Sequence, residues 1–271
     1  PMLVLVAASS LSAGRQTANM EGAVKGQVHK TPPPVTQKEE GSPFIENLFT
    51  NGRGGRMRYL LFVPKNYDQR KRYPLVLWLH GGGSHGEDLK LLLSHGDKHG
   101  IGYLARADIQ SKYASFIVAP QCPRNKLWGN PGSGQLTGEM KLALEIVAKV
   151  RAAYSIDSRR LYVLGMSLGG YGTWDLITRR PGLFAAAVPI CGGGDPSKVS
   201  LLVKTAVWVF HGDEDELVDV AESRKMIAAI QRAGGKPRYT EYKGVGHNAW
   251  ERAFAEPELL PWLFAQRLEK R

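Results

Sequence analysis

Leu161-Tyr162-Val163-Leu164-Gly165-Met166-Ser167-Leu168-Gly169-Gly170 is the stretch from which the rest of the chain can be read. Four apolar residues run into Gly-x-Ser-x-Gly, and Tyr171–Thr178 continues beyond it as a helix. A strand that passes directly into a helix turns so tightly that side chains flanking the turn would clash, which accounts for Gly165 and Gly169. The same turn lifts the Ser167 hydroxyl clear of the backbone at a helix amino end. Gly-x-Ser-x-Gly alone is a frequent accident. Between a strand and a helix it marks Ser167 as a candidate nucleophile.

Similar apolar runs lie on either side: Leu75–Leu79, Phe116–Ala119, Ala185–Ile190 and Ala206–Phe210. Continuous rather than alternating apolar character predicts strands buried on both faces, as in a parallel sheet. Ahead of them, Asn51-Gly52 and Gly54-Gly55 mark a tight turn before the strand Arg58–Val63, so an antiparallel hairpin is expected to enter the sheet. Met140, Ala143, Leu144, Val147 and Val150 form a helical stripe, and Arg179-Arg180-Pro181-Gly182 stops the helix that carries Trp174, Leu176 and Ile177. Met226, Ile227 and Ile230 form another stripe, ending at Gly234-Gly235. Pro257 suits the first turn of a last helix carrying Leu259, Leu260, Leu263, Phe264 and Leu268. Strands alternating with helices give an α/β fold with a mostly parallel sheet.

In open α/β sheets reactive groups gather at the carboxyl ends of the strands. His80-Gly81-Gly82-Gly83 follows Leu75–Leu79, and its glycines leave backbone N–H groups free to turn toward a developing negative charge. Gly82 and Gly83, with the N–H of Leu168, are the candidate oxyanion donors. His211-Gly212-Asp213-Glu214-Asp215 follows Ala206–Phe210 and offers several carboxylates that spacing alone does not separate. Gly244-Val245-Gly246-His247 follows the alternating run Tyr239–Tyr242, and a histidine between glycines there fits a general base able to reach Ser167.

Taken together, these four segments resemble the α/β-hydrolase superfamily from about Phe44 to the C-terminus. Within it the chain is most similar to the phospholipase/carboxylesterase and predicted-peptidase group, near the polyhydroxybutyrate-depolymerase-like and feruloyl-esterase-like enzymes. The resemblance implies an eight-stranded sheet flanked by helices with the Ser167 strand central, and the chain order serine, acid, histidine. It implies that the acid is the second Asp of His-Gly-Asp-x-Asp, here Asp215, with Asp213 in a supporting role. The implied chemistry is a triad of Ser167, Asp215 and His247 hydrolysing carboxylic esters, with no metal or organic cofactor. A serine peptidase of the prolyl-oligopeptidase type is the rival, although no room exists for the gating domain such enzymes usually carry. A silent binding module would need no such constellation, and a dehalogenase would carry Asp at the elbow.

The remaining features bound this reading. The chain has 271 residues, 43% apolar and 23% charged, which suits one α/β domain, residues 44–271, with no large lid. Only Cys191–Thr205 separates two strands where many lipases insert a lid, so an open cleft suited to bulky or polymer-attached esters is expected. The formal charge is +11, but cations such as Arg70-Lys71-Arg72 and Arg159-Arg160 are scattered without interleaved aromatic platforms, which reads as a solvated surface and not as a nucleic-acid face. Cys122 and Cys191 each follow a strand, with two strands between them at ~4.8 Å per step, beyond the ~7 Å over which a disulfide closes, so both are expected as free thiols. His95 and His99 with Asp97 and His85 lack the Glu of a helical zinc motif, so no metal site is expected. Trp128 and Trp250 are candidate walls of the substrate pocket. Residues 2–13 resemble the tail of an export signal, pointing to a secreted or periplasmic location, and 14–43 read as a linker or extended arm. No apolar run reaches the ~18 residues of a membrane span.

Overall fold

The computed structural model describes residues 42–269 apart from His95, Pro131, Val203 and Lys204. The export-signal expectation for residues 2–13 lies outside the described residues, as does the linker expectation except for Ser42 and Pro43. Eight strands form one sheet: β1 (Phe44–Thr50), β2 (Arg56–Phe62), β3 (Tyr73–Leu79), β4 (Phe116–Pro120), β5 (Ile156–Met166), β6 (Ala186–Ile190), β7 (Ala206–Gly212) and β8 (Arg238–Tyr242), in the spatial order β1-β2-β4-β3-β5-β6-β7-β8. β1, β2 and β4 pair antiparallel, with the hairpin turn at residues 51–55, and every other pairing is parallel. This is the eight-stranded, mostly parallel α/β sheet expected, with β5 inside it.

The continuous apolar runs are explained by helices on both faces. Successive β3 side chains point to opposite sides. Leu75, Leu77 and Leu79 join a core with α2 (Gly138–Ala153), α3 (Leu168–Arg179) and α4 (Ala221–Arg232). Val76 and Trp78 join a second core with α1 (Ala107–Lys112), α5 (Trp250–Ala255) and α6 (Leu259–Ala265). All seven β3 residues are buried. On α2 the buried stripe is Met140, Ala143, Ile146, Val147 and Val150, with Leu144 only packed against its edge.

Two details differ from expectation. The last helix starts at Leu259, so its first-turn proline is Pro261, where the missing N–H costs nothing; Pro257 precedes the helix and Leu268 follows it. The chain between β3 and α1 forms a 3-10 segment at Leu89–Leu93 and a π turn at Lys98–Gly102, neither of which has a sequence period to announce it. Cys122 and Cys191 are buried free thiols, separated by β3 and β5 as the strand order required.

Behind the long loop 121–136, Thr137 caps α2. Its Oγ1 accepts the Met140 N–H at 3.1 Å and donates to the Trp128 carbonyl at 2.8 Å, fastening the loop to the helix. Thr137→Ala is expected to lower unfolding free energy by about 1–2 kcal/mol, with Thr137→Ser recovering most of it. Urea denaturation checks this, and equal losses in both variants would assign the effect to the methyl group instead.

Candidate active site

Ser167 stands alone between β5 and α3 with φ 53° and ψ −118°, a region that costs a non-glycine residue about 1–3 kcal/mol. The surroundings over-determine it. Its N–H donates to the Ile190 carbonyl at 2.8 Å, and its carbonyl accepts the Tyr171 N–H at 3.1 Å. A Cβ at Gly169 would fall on the Leu79 carbonyl, and one at Gly165 on the Gly169 carbonyl, so both glycines are required by backbone contact. Ser167 and Leu168 remain partly exposed.

Ser167 Oγ lies 2.8 Å from His247 Nε2, and His247 Nδ1 lies 2.7 Å from Asp215 Oδ2. The hydroxyl can therefore donate to Nε2 while the Nδ1–H donates to the carboxylate, the tautomer a general base needs. Burial alone would raise the Asp215 carboxyl. The N–H groups of Val218 and Leu217 on Oδ1, at 2.9 and 3.0 Å, together with His247, outweigh it and hold the group below its ordinary value. Asp213 braces the histidine loop: its Oδ1 accepts the Gly244 N–H at 2.7 Å, its own N–H bonds the Tyr242 carbonyl, and Glu214 N–H bonds the Val245 carbonyl.

Gly82 and Gly83 open a 3-10 turn, Gly82–Ser84, and Leu168 is the first residue of α3, so all three N–H groups are first-turn donors without an intrahelical partner. A Cβ at Gly82 or Gly83 would meet nothing within 4 Å, so the space there is open to solvent and is not filled by the chain.

Sequence reading missed what holds this turn. His80 is fully buried; its Nε2 accepts the Cys122 N–H at 2.8 Å, so the ring proton sits on Nδ1 and is donated to the Gly81 carbonyl at 2.7 Å. Burial pushes the imidazole down to about 4, so His80 is neutral and cannot replace His247 as base. Asp97 receives the Trp78 indole N–H at 2.7 Å, lies 2.5 Å from Ser84 Oγ, and is also bonded by the Gly81 N–H. Ser84 Oγ lies 3.0 Å from the Leu91 carbonyl as well, and one hydroxyl proton does not serve both acceptors fully. His80 opens the His-Gly-Gly-Gly segment, but nothing in that segment announces its buried bracing role, and the only signal for Asp97 was an acid in a stretch that must pack against the apolar side of β3.

The two tryptophans part company. Trp128 is a correction: it has no exposed surface, its indole donates to the His80 carbonyl at 3.1 Å, and its ring packs edge-on against His80 at 5.2 Å, so it supports the glycine turn from inside and walls no pocket. Trp250 is partly exposed and meets the His247 ring edge-to-face at 5.3 Å, which places it beside the triad. Of the residues in the His95–Asp97–His99 cluster, His95 is outside the described residues, Asp97 is occupied as above, and His99 lies 3.9 Å from Glu251. Cys191, His211 and Asp215 bring ligand-type atoms within 4.8 Å, but Asp215 is engaged by the Leu217 and Val218 N–H groups and His247, and burial pushes the Cys191 thiol up, against the thiolate a metal would need.

Residues 122–258, just over half of the chain, match the dienelactone hydrolase family model. The chain belongs to the dienelactone hydrolase family. It is 23% identical to feruloyl esterase D of Neurospora crassa over 223 residues, 73% of this chain and 72% of that protein. It is 29% identical to probable feruloyl esterase C of Aspergillus terreus over 149 residues, 55% of this chain and 49% of that one. The solved structure of a thermostable esterase superposes with TM-score 0.79 at 37% identity, covering 83% of this chain and 63% of the other. This family member is a hydrolase acting on esters, with the α/β-hydrolase fold; no described helix is long and apolar enough to cross a membrane.

The Asp97 carboxyl is pushed up to about 7, burial outweighing its three donors. Between about pH 4 and pH 7 the folded chain therefore holds a proton that the unfolded chain has lost. Its contribution to stability is full below about pH 4 and is lost as pH rises through 7. Asp97→Asn, which keeps shape and cannot ionise, is expected to flatten the fall in melting temperature between pH 5 and pH 8. Parallel curves for the two proteins would mean that Asp97 is ionised throughout.

Proposed function

We propose that this chain is a serine carboxylesterase, cleaving esters of the short acyl, aryl or feruloyl type through an acyl-enzyme on Ser167. The observation that carries the reading is the unbroken relay from Ser167 Oγ to His247 to Asp215, at 2.8 and 2.7 Å. His247 Nε2 takes the hydroxyl proton as Ser167 attacks the ester carbonyl, and Asp215 keeps the imidazole oriented and stabilises its charge. The N–H of Leu168 and those of Gly82 and Gly83 receive the developing oxyanion, each such donor being worth about 3–4 kcal/mol in related chemistry. His247 then returns the proton to the leaving alcohol, activates water against the acyl group, and restores Ser167. No step calls for a metal or organic cofactor.

The substrate class is argued from two sides. The relatives named as feruloyl esterases support aryl-acid esters, and the partly exposed Ser167 beside open space at Gly82 and Gly83 supports a bulky or polymer-attached ester. Trp250, next to His247, is the residue proposed to meet the acyl or aryl group. Export of the protein rests on residues 2–13 alone.

The test is hydrolysis of p-nitrophenyl acetate, butyrate and octanoate, methyl ferulate and an aminoacyl p-nitroanilide by the wild type and Ser167→Ala. Ester turnover falling by about 10⁴-fold or more in the variant is expected. Amide cleavage outrunning ester cleavage would favour the peptidase, and folded protein inert toward every substrate would favour a binding module.

A further inference from the structure

His211, the first residue of the His-Gly-Asp-Glu-Asp segment, has no part in the relay above, yet it is fully buried directly behind it. Its Nε2 lies 2.9 Å from the Val218 carbonyl and 3.2 Å from Asp215 Oδ2, the same oxygen that His247 Nδ1 reaches at 2.7 Å. Its Nδ1 lies 2.7 Å from Ser223 Oγ on α4, which is also 3.1 Å from the Gly192 carbonyl.

The proton positions follow from what each atom can do. Both neighbours of Nε2 are acceptors, so a bare lone pair there would face two other lone pairs. Ser223, by contrast, can either accept from Nδ1 while donating to Gly192, or turn its proton onto Nδ1. Burial pushes the imidazole below its ordinary range while Val218 and Asp215 pull the other way. A neutral ring still keeps one proton, and Nε2 is the atom whose surroundings demand it.

We propose that His211 is a positioning residue of the triad: its Nε2–H is shared between Val218 and Asp215 Oδ2, holding that oxygen in place and tempering the negative charge felt by His247. Asp215 is thereby gripped by four donors, Leu217 and Val218 N–H on Oδ1, and His247 and His211 on Oδ2. The titratable groups facing His211 are Asp215 and His247 on the two catalytic loops, Cys191 at the end of β6, and Glu241, paired with it across β7 and β8; Ser223 is the polar group from α4.

The role assigned to His211 rests on the esterase reading, but its first test does not require turnover. In wild-type protein carrying ring-¹⁵N histidine, His211 Nε2 is expected to resonate as a protonated nitrogen near neutral pH. A pyridine-type Nε2 with the proton on Nδ1 would overturn the proposal whatever the enzyme hydrolyses. His211→Asn keeps an amide near Ser223 and withdraws the donor from Asp215. Its kcat/KM on p-nitrophenyl butyrate is expected to fall about 10- to 100-fold, the scale of one hydrogen bond to a charged group. The acid limb of its pH profile is expected to move to higher pH, because the undiminished Asp215 charge then favours protonated His247. His211→Gln, whose amide nitrogen reaches the Nε2 position, is expected to recover to within about fivefold of wild type with the acid limb restored. Folded His211→Asn with a wild-type rate and profile would overturn the assignment. Should His211→Asn not fold, the nitrogen spectrum and His211→Gln decide: a protonated Nε2 with a near-normal profile in the glutamine variant supports it, and failure of either refutes it.

Discussion

The constraint on which the rest of the molecule depends is the contact between the Gly169 backbone and the Leu79 carbonyl oxygen. β3 and β5 are hydrogen-bonded neighbours, with Leu79 opposite Gly165, so the turn after one strand lies beside the turn after the other. With no side chain at Gly169 or Gly165, α3 settles directly over the end of β3. That single approach brings the strained Ser167 and the His80–Ser84 turn together, and so decides where the proposed nucleophile and its proposed anion-stabilising donors meet. The cost of the backbone at Ser167 is met by ordinary bonds to Ile190 and Tyr171, each of which fixes an adjoining element.

Around that junction lie two buried carboxyl groups shifted in opposite directions, and their donors explain why. Asp215 and Asp97 are both shielded from water. Asp215 has two backbone N–H groups on one oxygen and two histidines near the other, enough to stabilise a full charge, and its carboxyl is held low. Asp97 has Trp78, Ser84 and Gly81, of which Ser84 is divided between it and Leu91, and desolvation wins. One carboxyl is thus held below its ordinary value beside His247, and the other is pushed above it where it ties β3 to the glycine turn. His80 and His247 differ likewise: His80 spends both ring nitrogens on backbone, whereas His247 spends one on Asp215 and leaves Nε2 for Ser167.

The parts legible in the sequence were those whose cause is local. Gly165 is forced by a turn within five residues, where a Cβ would fall on the Gly169 carbonyl, and a strand covered on both faces advertises itself as an unbroken apolar run; the contact that forces Gly169 comes instead from Leu79 on β3. The supporting residues were not legible because their roles are fixed by contacts between distant segments. Asp97 meets Trp78 across nineteen residues, and His80 meets Cys122 across forty-two. The pocket role expected of Trp128 fails for the same reason: a tryptophan on a glycine-rich loop can wall a pocket or be buried, and only the contact of its ring with His80 and its N–H on the His80 carbonyl decide for burial. The Leu89–Gly102 segment gave no helical period because 3-10 and π turns place side chains at spacings that an α-helical template does not match.

This division bears on how such a site can change. The groups proposed to do chemistry are surrounded by backbone contacts that leave no latitude: a Cβ at Gly169 or Gly165 cannot be accommodated, nor one at Gly212, where it would fall on the Val245 carbonyl. The substrate side is different. Gly82 and Gly83 face open space, and Trp250 touches the triad only through its ring against His247. A different side chain at Trp250 alters the shape beside His247 without disturbing the junction of β3, β5 and α3, whereas Gly82 and Gly83, though sterically free, carry N–H groups proposed to bind the oxyanion. Selectivity among acyl groups is therefore free to vary on a scaffold whose reactive geometry is fixed, which is why the motifs identify the chemistry far better than they identify the substrate.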